Sequence, residues 1–371
     1  MTRRKPEGPL DQILLLLFLT LTGIGLVQVF STSFIFATES HGDGMFFLKK
    51  QLMFTVLAFI ALFVCAYFPW KWFERLAPLL WIVCALLLLA TFVPGVGVKA
   101  GGASRWIGLP FGFRLQPSEL MKVALPFYFS YLLVHPMEWL GKHRWTFRIL
   151  SLFLPLGILL FQPDFGSFAV MLMVLILLLV AFGLRWSYII TATISTSLLF
   201  FILIMESPYR RARLFSYLDP WSERNQSGFQ LIQSLLSFRS GGLAGVGLGQ
   251  GQGKLFFLPE AHTDFTLAVL GEELGFCGVF IVLSLFGFLI YRGFQIALRA
   301  SSEFERSVAL GLIMIFSLSV FVNVGVALGI LPTKGLALPF LSYGGSSLIT
   351  LGIIFGLLLN IRRRINHWAK R

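Results

Sequence analysis

The feature that most constrains this chain is a succession of apolar runs, each about as long as a bilayer's hydrocarbon core is thick. A helix needs about 20 mostly apolar residues to cross that core. Such runs fall at roughly 12–30, 50–68, 76–94, 117–135, 147–162, 166–184, 187–205, 265–291, 306–330 and 344–361. The polar stretches between them are short, apart from 206–264. Composition agrees: 13% of residues are charged, against roughly 25% in soluble domains, too few to surface a water-soluble particle of this size. The expected fold is therefore all-α, a polytopic membrane protein of about ten transmembrane helices forming a single membrane domain over 1–371. A tail at 1–11 precedes the first span and another at 362–371 follows the last. A large loop, 206–264, joins the seventh span to the eighth.

Charge sets the orientation. The net charge of +13 would suit nucleic acid in a soluble protein, but here its placement is the informative part. Arg3, Arg4, Lys5, Lys71, Arg75, Lys142, Arg144, Arg148, Arg185, Arg292, Arg299, Arg306, Arg362 to Arg364, Lys370 and Arg371 all fall on the side that holds both termini. Basic residues in short loops mark the cytoplasmic side, and long segments contribute little to that signal. Both tails are expected in the cytoplasm and 206–264 outside, with no nucleic-acid partner. The first run lacks a small-residue cleavage site and is long enough to span. Cys65, Cys84 and Cys277 lie in apolar runs and offer neither metal-ligand spacing nor a disulfide framework.

Ionisable residues inside spans are costly and are functional candidates by default. Glu119 and Lys122 share a helix face at the start of the fourth span; they read either as a local ion pair or as lining of a polar cavity. Asp164 sits between Pro163 and Gly166, where a helix cap is natural. Asp264 opens the eighth span at its outer boundary, and reads as a cap or as a base within reach of a substrate hydroxyl. Glu272 and Glu273 follow two turns further in, about 100° apart around the helix, so at most one of them can meet Lys122 squarely. A glycine-rich run, 241–251, allows close backbone approach to a ligand, and a stretch near 228–238 is amphipathic. His262 and Asp264 lack the Gly-x-Ser-x-Gly elbow of a hydrolase, and the glycine run lacks the Gly-Lys-Ser/Thr of a phosphate loop.

Six motifs occur together: Gly102-Ala103-Ser104-Arg105-Trp106-Ile107, Gln116-Pro117-Ser118-Glu119-Leu120-Met121-Lys122, Gln162-Pro163-Asp164-Phe165-Gly166, Leu258-Pro259-Glu260-Ala261-His262-Thr263-Asp264-Phe265, Gly271-Glu272-Glu273-Leu274-Gly275 and Ser342-Tyr343-Gly344-Gly345-Ser346-Ser347. In this order they resemble the SEDS family (shape, elongation, division and sporulation), which includes FtsW, RodA and SpoVE. The likeness runs from about residue 12 to 361. Asp219-Pro220-Trp221 and Leu331-Pro332-Thr333-Lys334-Gly335 look more like its cell-division branch, FtsW.

The resemblance implies a peptidoglycan glycosyltransferase of the bacterial cytoplasmic membrane. Such an enzyme polymerises lipid II into β-1,4-linked glycan at the outer face, in cell division or shape maintenance. It implies Asp264 as the general base of an inverting displacement of undecaprenyl diphosphate, and Glu119 and Lys122 as residues lining the cavity. The leaving diphosphate needs cations or a bound divalent metal such as Mg or Mn. Outer-side candidates are Arg105, Arg210, Arg211, Arg213, Lys254 and Lys334; the arginines at 210–213 read equally as lipid-headgroup contacts. His262, Ser342 and Gly344 join the substrate-binding set through their motifs. The implied partners are a class B penicillin-binding protein, whose transpeptidase crosslinks the new strand, and other divisome or elongasome proteins. An alternative function is a lipid II flippase, which suits buried charges and many spans but calls for internal repeats; none stands out. A third is a scaffold, in which Asp264 would be dispensable.

Overall fold

The computed structural model describes residues 8–100, 103–135, 144–183, 219–222, 228–253, 263–332, 335 and 337–368, together with isolated positions 190, 194, 202, 205, 206, 211 and 217. Its helices are α1 (Gln12–His41), α2 (Phe46–Tyr67), α3 (Trp70–Ala90), α4 (Pro117–Val134), α5 (Arg144–Phe161), α6 (Phe165–Ala181), α7 (Phe229–Gly241), α8 (Thr266–Leu298), α9 (Glu303–Ala327) and α10 (Gly345–Trp368). Among the described residues α1, α2, α3, α8, α9 and α10 are long and apolar enough to cross a membrane, and α5 and α6 are shorter apolar helices. The protein is a helical, multi-pass membrane protein. The expected span at 187–205 and most of the 206–264 loop lie outside the described residues, as does the tail segment 1–7. The part of the loop that is described includes the amphipathic stretch, now α7, whose Leu231 and Ile232 are buried and whose Ser234 hydroxyl donates to the Ala327 carbonyl at the end of α9.

Aromatic packing fills the centre. Phe18, Phe286, Phe316, Phe340 and Phe355 meet from four helices and one loop, with ring centroids 5.0–6.5 Å apart. Phe340 belongs to that loop, which runs from the end of α9 to α10. Leu338, Phe340, Leu341 and Ser342 are all buried. Phe316 lies 13 residues into α9, about 20 Å along its axis, so the segment around Phe340 re-enters the bundle well inside the hydrocarbon depth. Irregular backbone survives there only when buried in protein, and the phenylalanine cluster buries it.

The start of α1 and the end of α10 meet at one end of the bundle. Gly8 N–H donates to the Arg363 carbonyl. Asp11 caps α1 through the Leu14 N–H and accepts from Arg292 at 2.7 and 3.0 Å and from Arg362 at 3.3 Å, while Arg364 pairs with Glu305 at 2.6 Å. Burial works to raise the Asp11 carboxyl, but the hydrogen bonds from Arg292, Leu14 and Arg362 outweigh it and hold the group below the ordinary carboxylate range. A depressed folded value means that the stabilisation is complete above the unfolded value of about 3.9 and disappears as pH falls through the folded one. The purified protein is therefore expected to melt at a lower temperature as pH drops from about 6 to about 3. Asp11→Asn should flatten that dependence and cost on the order of 1–3 kcal/mol at neutral pH, read by thermal denaturation in detergent.

One element departs from an all-helical reading. Residues 97–115 form a small antiparallel sheet of β1 (Gly97–Ala100), β2 (Ala103–Gly108) and β3 (Arg114–Leu115), in the order β1-β2-β3. It lies between α3 and α4, at the end of the bundle opposite the termini.

Candidate active site

The site is assembled at that opposite end from four separate pieces of chain. The sheet supplies Arg105. Val98 pairs with Trp106 and Lys99 with Ser104, which leaves Arg105 as the extra residue of a β-bulge. Bulges re-aim side chains out of the regular alternation, and this one turns Arg105 toward the α5–α6 hairpin, where its Nη2 donates to the Pro163 carbonyl at 2.6 Å. Among the described residues its buried Nε has no hydrogen-bond partner.

The hairpin is held in place from below. Gln162 donates to the Leu88 carbonyl at 2.7 Å and to the Thr91 hydroxyl at 2.8 Å. Asp164 caps α6 by accepting from Ser167 N–H at 3.3 Å and also accepts from the Ser118 hydroxyl at 3.1 Å. The capping reading holds for Asp164, which is 1% exposed.

Asp264 is different. The N-cap of α8 is Phe265, with no side-chain capping bond, so the capping alternative fails for the half-buried Asp264. A Cβ added to Gly335 would lie 3.5 Å from Asp264 Oδ2 and 3.8 Å from Arg105 Nη1. Carboxylate and guanidinium thus both border the space beside Gly335. Depth fits a boundary position. The Asp264 carbonyl accepts from Asn323 Nδ2 at 3.1 Å, and Asn323 lies 20 residues into α9, about 30 Å from the end that holds the termini. That is one hydrocarbon thickness.

The remaining expected residues divide. Ser342 is buried, and its hydroxyl donates to the Thr263 carbonyl, accepts from Leu338 N–H at 2.8 Å and lies 3.3 Å from the Thr266 hydroxyl. Gly344 stands just before α10, its N–H toward Gln51 Oε1 at 3.4 Å. Glu119 and Lys122 form a buried ion pair at 2.5 Å. They line a small cavity of about 20 Å³ with Ser319, Ser347 and Thr350, enough for a water or so. His262, Arg210, Arg213, Lys254 and Lys334 lie outside the described residues.

Neither Glu272 nor Glu273 engages Lys122. Glu272 accepts from the Gln252 and Gly253 N–H groups at 2.8 and 3.0 Å, and Glu273 from the Ser31 hydroxyl at 2.6 Å. The described part of the glycine run packs against the backbone of α8. α8 breaks at Gly275, with φ +66° and ψ −167°, which frees backbone groups on either side. Val246 and Gly247 N–H groups donate to the Glu272 and Glu273 carbonyls, and the Gly242 and Leu243 carbonyls accept from Phe276 and Cys277. A Cβ on Gly245 would overlap the Glu273 carbonyl, so only glycine brings this strand of backbone close enough to repair the break.

Sequence reasoning missed Asn323, the Pro163 carbonyl and Gly335. A lone Asn within Val320-Phe321-Val322-Asn323-Val324 was a usable signal, since a polar amide in a span needs a partner.

For a resident metal the donor set is thin. Among the described residues no three His, Cys, Asp or Glu side chains converge. Such a place matches a divalent ion carried mainly by a substrate's phosphates, with one protein carboxylate in support.

Fold and site together define a polytopic membrane protein with a carboxylate and a guanidinium bordering one space at the bundle end remote from its termini. Residues 11–367 match the FtsW/RodA/SpoVE family, described as cell cycle proteins. The chain belongs to that family, the SEDS family. It is 46% identical over 358 residues to the probable peptidoglycan glycosyltransferase FtsW of Geobacter metallireducens, covering 96% of this chain and 95% of that one. It is 39% identical to stage V sporulation protein E of Bacillus subtilis, covering 98% and 99%. Among solved structures, one from a study of how a peptidoglycan synthase complex coordinates polymerization and crosslinking matches with a TM-score of 0.78 at 30% identity, covering 96% and 98%. The rod shape determining protein RodA of Thermus thermophilus matches at 0.68 and 28%, covering 95% and 97%.

Proposed function

We propose that this chain is an FtsW-like peptidoglycan glycosyltransferase that polymerises lipid II at the outer face of the bacterial cytoplasmic membrane, with both termini in the cytoplasm. The observation that carries the reading is the half-buried Asp264 bordering one space with Arg105 at the bundle end remote from the basic termini. Asp264 takes the proton from the acceptor sugar's hydroxyl. The freed oxygen attacks the donor's anomeric carbon from the face opposite the diphosphate, and the bond to the leaving oxygen breaks. An α-linked donor thereby becomes a β-linked product in one displacement, the proton ending on Asp264 and the negative charge on undecaprenyl diphosphate. Arg105 meets that charge, its Nη2 on Pro163 fixing the guanidinium plane while Nη1 faces the reacting space. Preorganised donors of this kind act on charge that develops in the transition state. A divalent cation, when bound, adds further charge neutralisation at the diphosphate.

The partner in this reading is a class B penicillin-binding protein, supported by the likeness to a peptidoglycan synthase complex; the setting is the divisome or elongasome. Purified protein with that partner, given lipid II, should yield glycan ladders on a gel. Lipid II translocation in vesicles without polymer would favour a flippase instead. Arg105→Lys should slow polymerisation about tenfold, because a lysine is a point charge and cannot hold Pro163 and phosphate at once.

A further inference from the structure

The side chain of Asp264 can act only where its backbone puts it, and two buried groups from distant parts of the chain hold that backbone. Asn323, in the outer third of α9 and 1% exposed, donates from Nδ2 to the Asp264 carbonyl at 3.1 Å. Ser342, on the returning limb of the re-entrant loop and 5% exposed, donates its hydroxyl to the carbonyl of the preceding residue, Thr263. The Ser342 oxygen in turn accepts from Leu338 N–H, which directs its single proton at Thr263. Successive carbonyls at 263 and 264 precede the first turn of α8, whose N-cap lacks a side-chain bond. The Thr266 hydroxyl adds a local bond to the Thr263 carbonyl at 3.2 Å, and Asn323 and Ser342 are the supports that tie this backbone to distant parts of the chain.

We infer that Asn323 and Ser342 are positioning residues for the base, acting through the backbone of Thr263 and Asp264 and not by touching substrate. The inference rests on the reading of Asp264 as the base. It also separates Ser342 from the groups that grip lipid II, since its hydroxyl is spent on Thr263 and Leu338. Each donor is engaged with a backbone carbonyl, so in this reading neither grips the diphosphate. Their loss should therefore appear in the chemical step. A displacement of a catalytic group by about 1 Å costs on the order of 100-fold in rate, and a partial loosening costs less.

The test is steady-state polymerisation by the intact protein with its penicillin-binding partner, measured across lipid II concentration, alongside thermal denaturation of each variant. Asn323→Leu and Ser342→Ala should lower kcat roughly 10- to 100-fold with KM for lipid II within about threefold. Ser342→Thr, which keeps the hydroxyl, should retain most of kcat, whereas Ser342→Cys, close in size but a weak donor, should lose it. A merely structural role predicts that Thr and Cys behave alike in kcat, each following its melting temperature. Asp264→Asn is the control for the underlying reading. If it is inactive while Asn323→Leu and Ser342→Ala keep wild-type kcat, the positioning role is wrong and the base stands. If Asp264→Asn polymerises at the wild-type rate, the base reading falls and this inference falls with it. A rise in KM at unchanged kcat for the Ser342 variants would overturn it in favour of direct substrate contact.

Discussion

Asp264→Asn is expected to abolish glycan polymerisation while leaving the protein folded in the membrane. Asn matches Asp in shape, so packing around the half-buried position is kept and the backbone bond from Asn323 survives. What is lost is the capacity to take a proton. General-base assistance contributes about 10²–10⁴ in rate, and the neutral amide also gives up its attraction to Arg105. Asp264→Glu keeps the charge but moves it by one methylene, beyond the tolerance for a positioned base, and is expected to lose on the order of 100-fold. The measurement is glycan formation from lipid II by each variant with its partner, with melting temperature read in parallel. Full activity from Asp264→Asn would leave no role for this carboxylate in the chemistry.

Much of the architecture was legible because a membrane imposes a length on its helices. The run expected at 117–135 is α4, with Pro117 in its first turn where proline fits best, and Asp164 was readable as a cap from its neighbours. Other features depend on tertiary contact that no local pattern encodes. The apolar run through Gly275 reads as one helix, because a single glycine lowers helix propensity by only about 1 kcal/mol; the break exists because the 242–247 backbone is there to satisfy it. The glycine run announced a close approach without saying what approaches, and its partner is protein. The first span was expected to stop near residue 30, yet α1 continues to His41, since its polar Thr32 and Ser33 bond back to carbonyls within the helix. Arg105 stood out as a cation, but the bulge that aims it requires knowing the strand register.

Asp264, the proposed base, was conspicuous in the sequence, and the groups around its backbone were not. A carboxylate inside an apolar protein is conspicuous for its desolvation cost. Asn323 and Ser342 are neutral and cheap to bury once paired, so their sequence signal is faint although they bond the backbone at Asp264 and Thr263. The same asymmetry applies to the glycines, whose importance lies in the atoms they admit.

Gly25→Ala is expected to damage both stability and activity through its seat for the re-entrant loop. A Cβ at Gly25 would overlap the Phe340 carbonyl oxygen and lie 2.9 Å from its carbon, and both are backbone atoms with no rotamer to give way. Phe340 already has φ +67°, uncommon for a bulky residue, and is enclosed by Phe18, Phe316 and Phe355, so the re-entrant segment has little room to retreat. Overpacking of this kind costs about 1–3 kcal/mol. The displaced segment also carries Ser342, whose hydroxyl steadies Thr263 beside the base, so kcat should fall by more than the fraction of protein that unfolds. Gly23 provides the comparison two residues away: on the same helix, nothing lies within 4 Å of its added Cβ, and Ala there should be neutral or slightly stabilising. Melting temperature and lipid II polymerisation of the two variants decide the matter. Equal behaviour of Gly23→Ala and Gly25→Ala would mean that the loop does not depend on its seat against α1, and that the coupling from the bundle centre to the boundary carboxylate runs by another route.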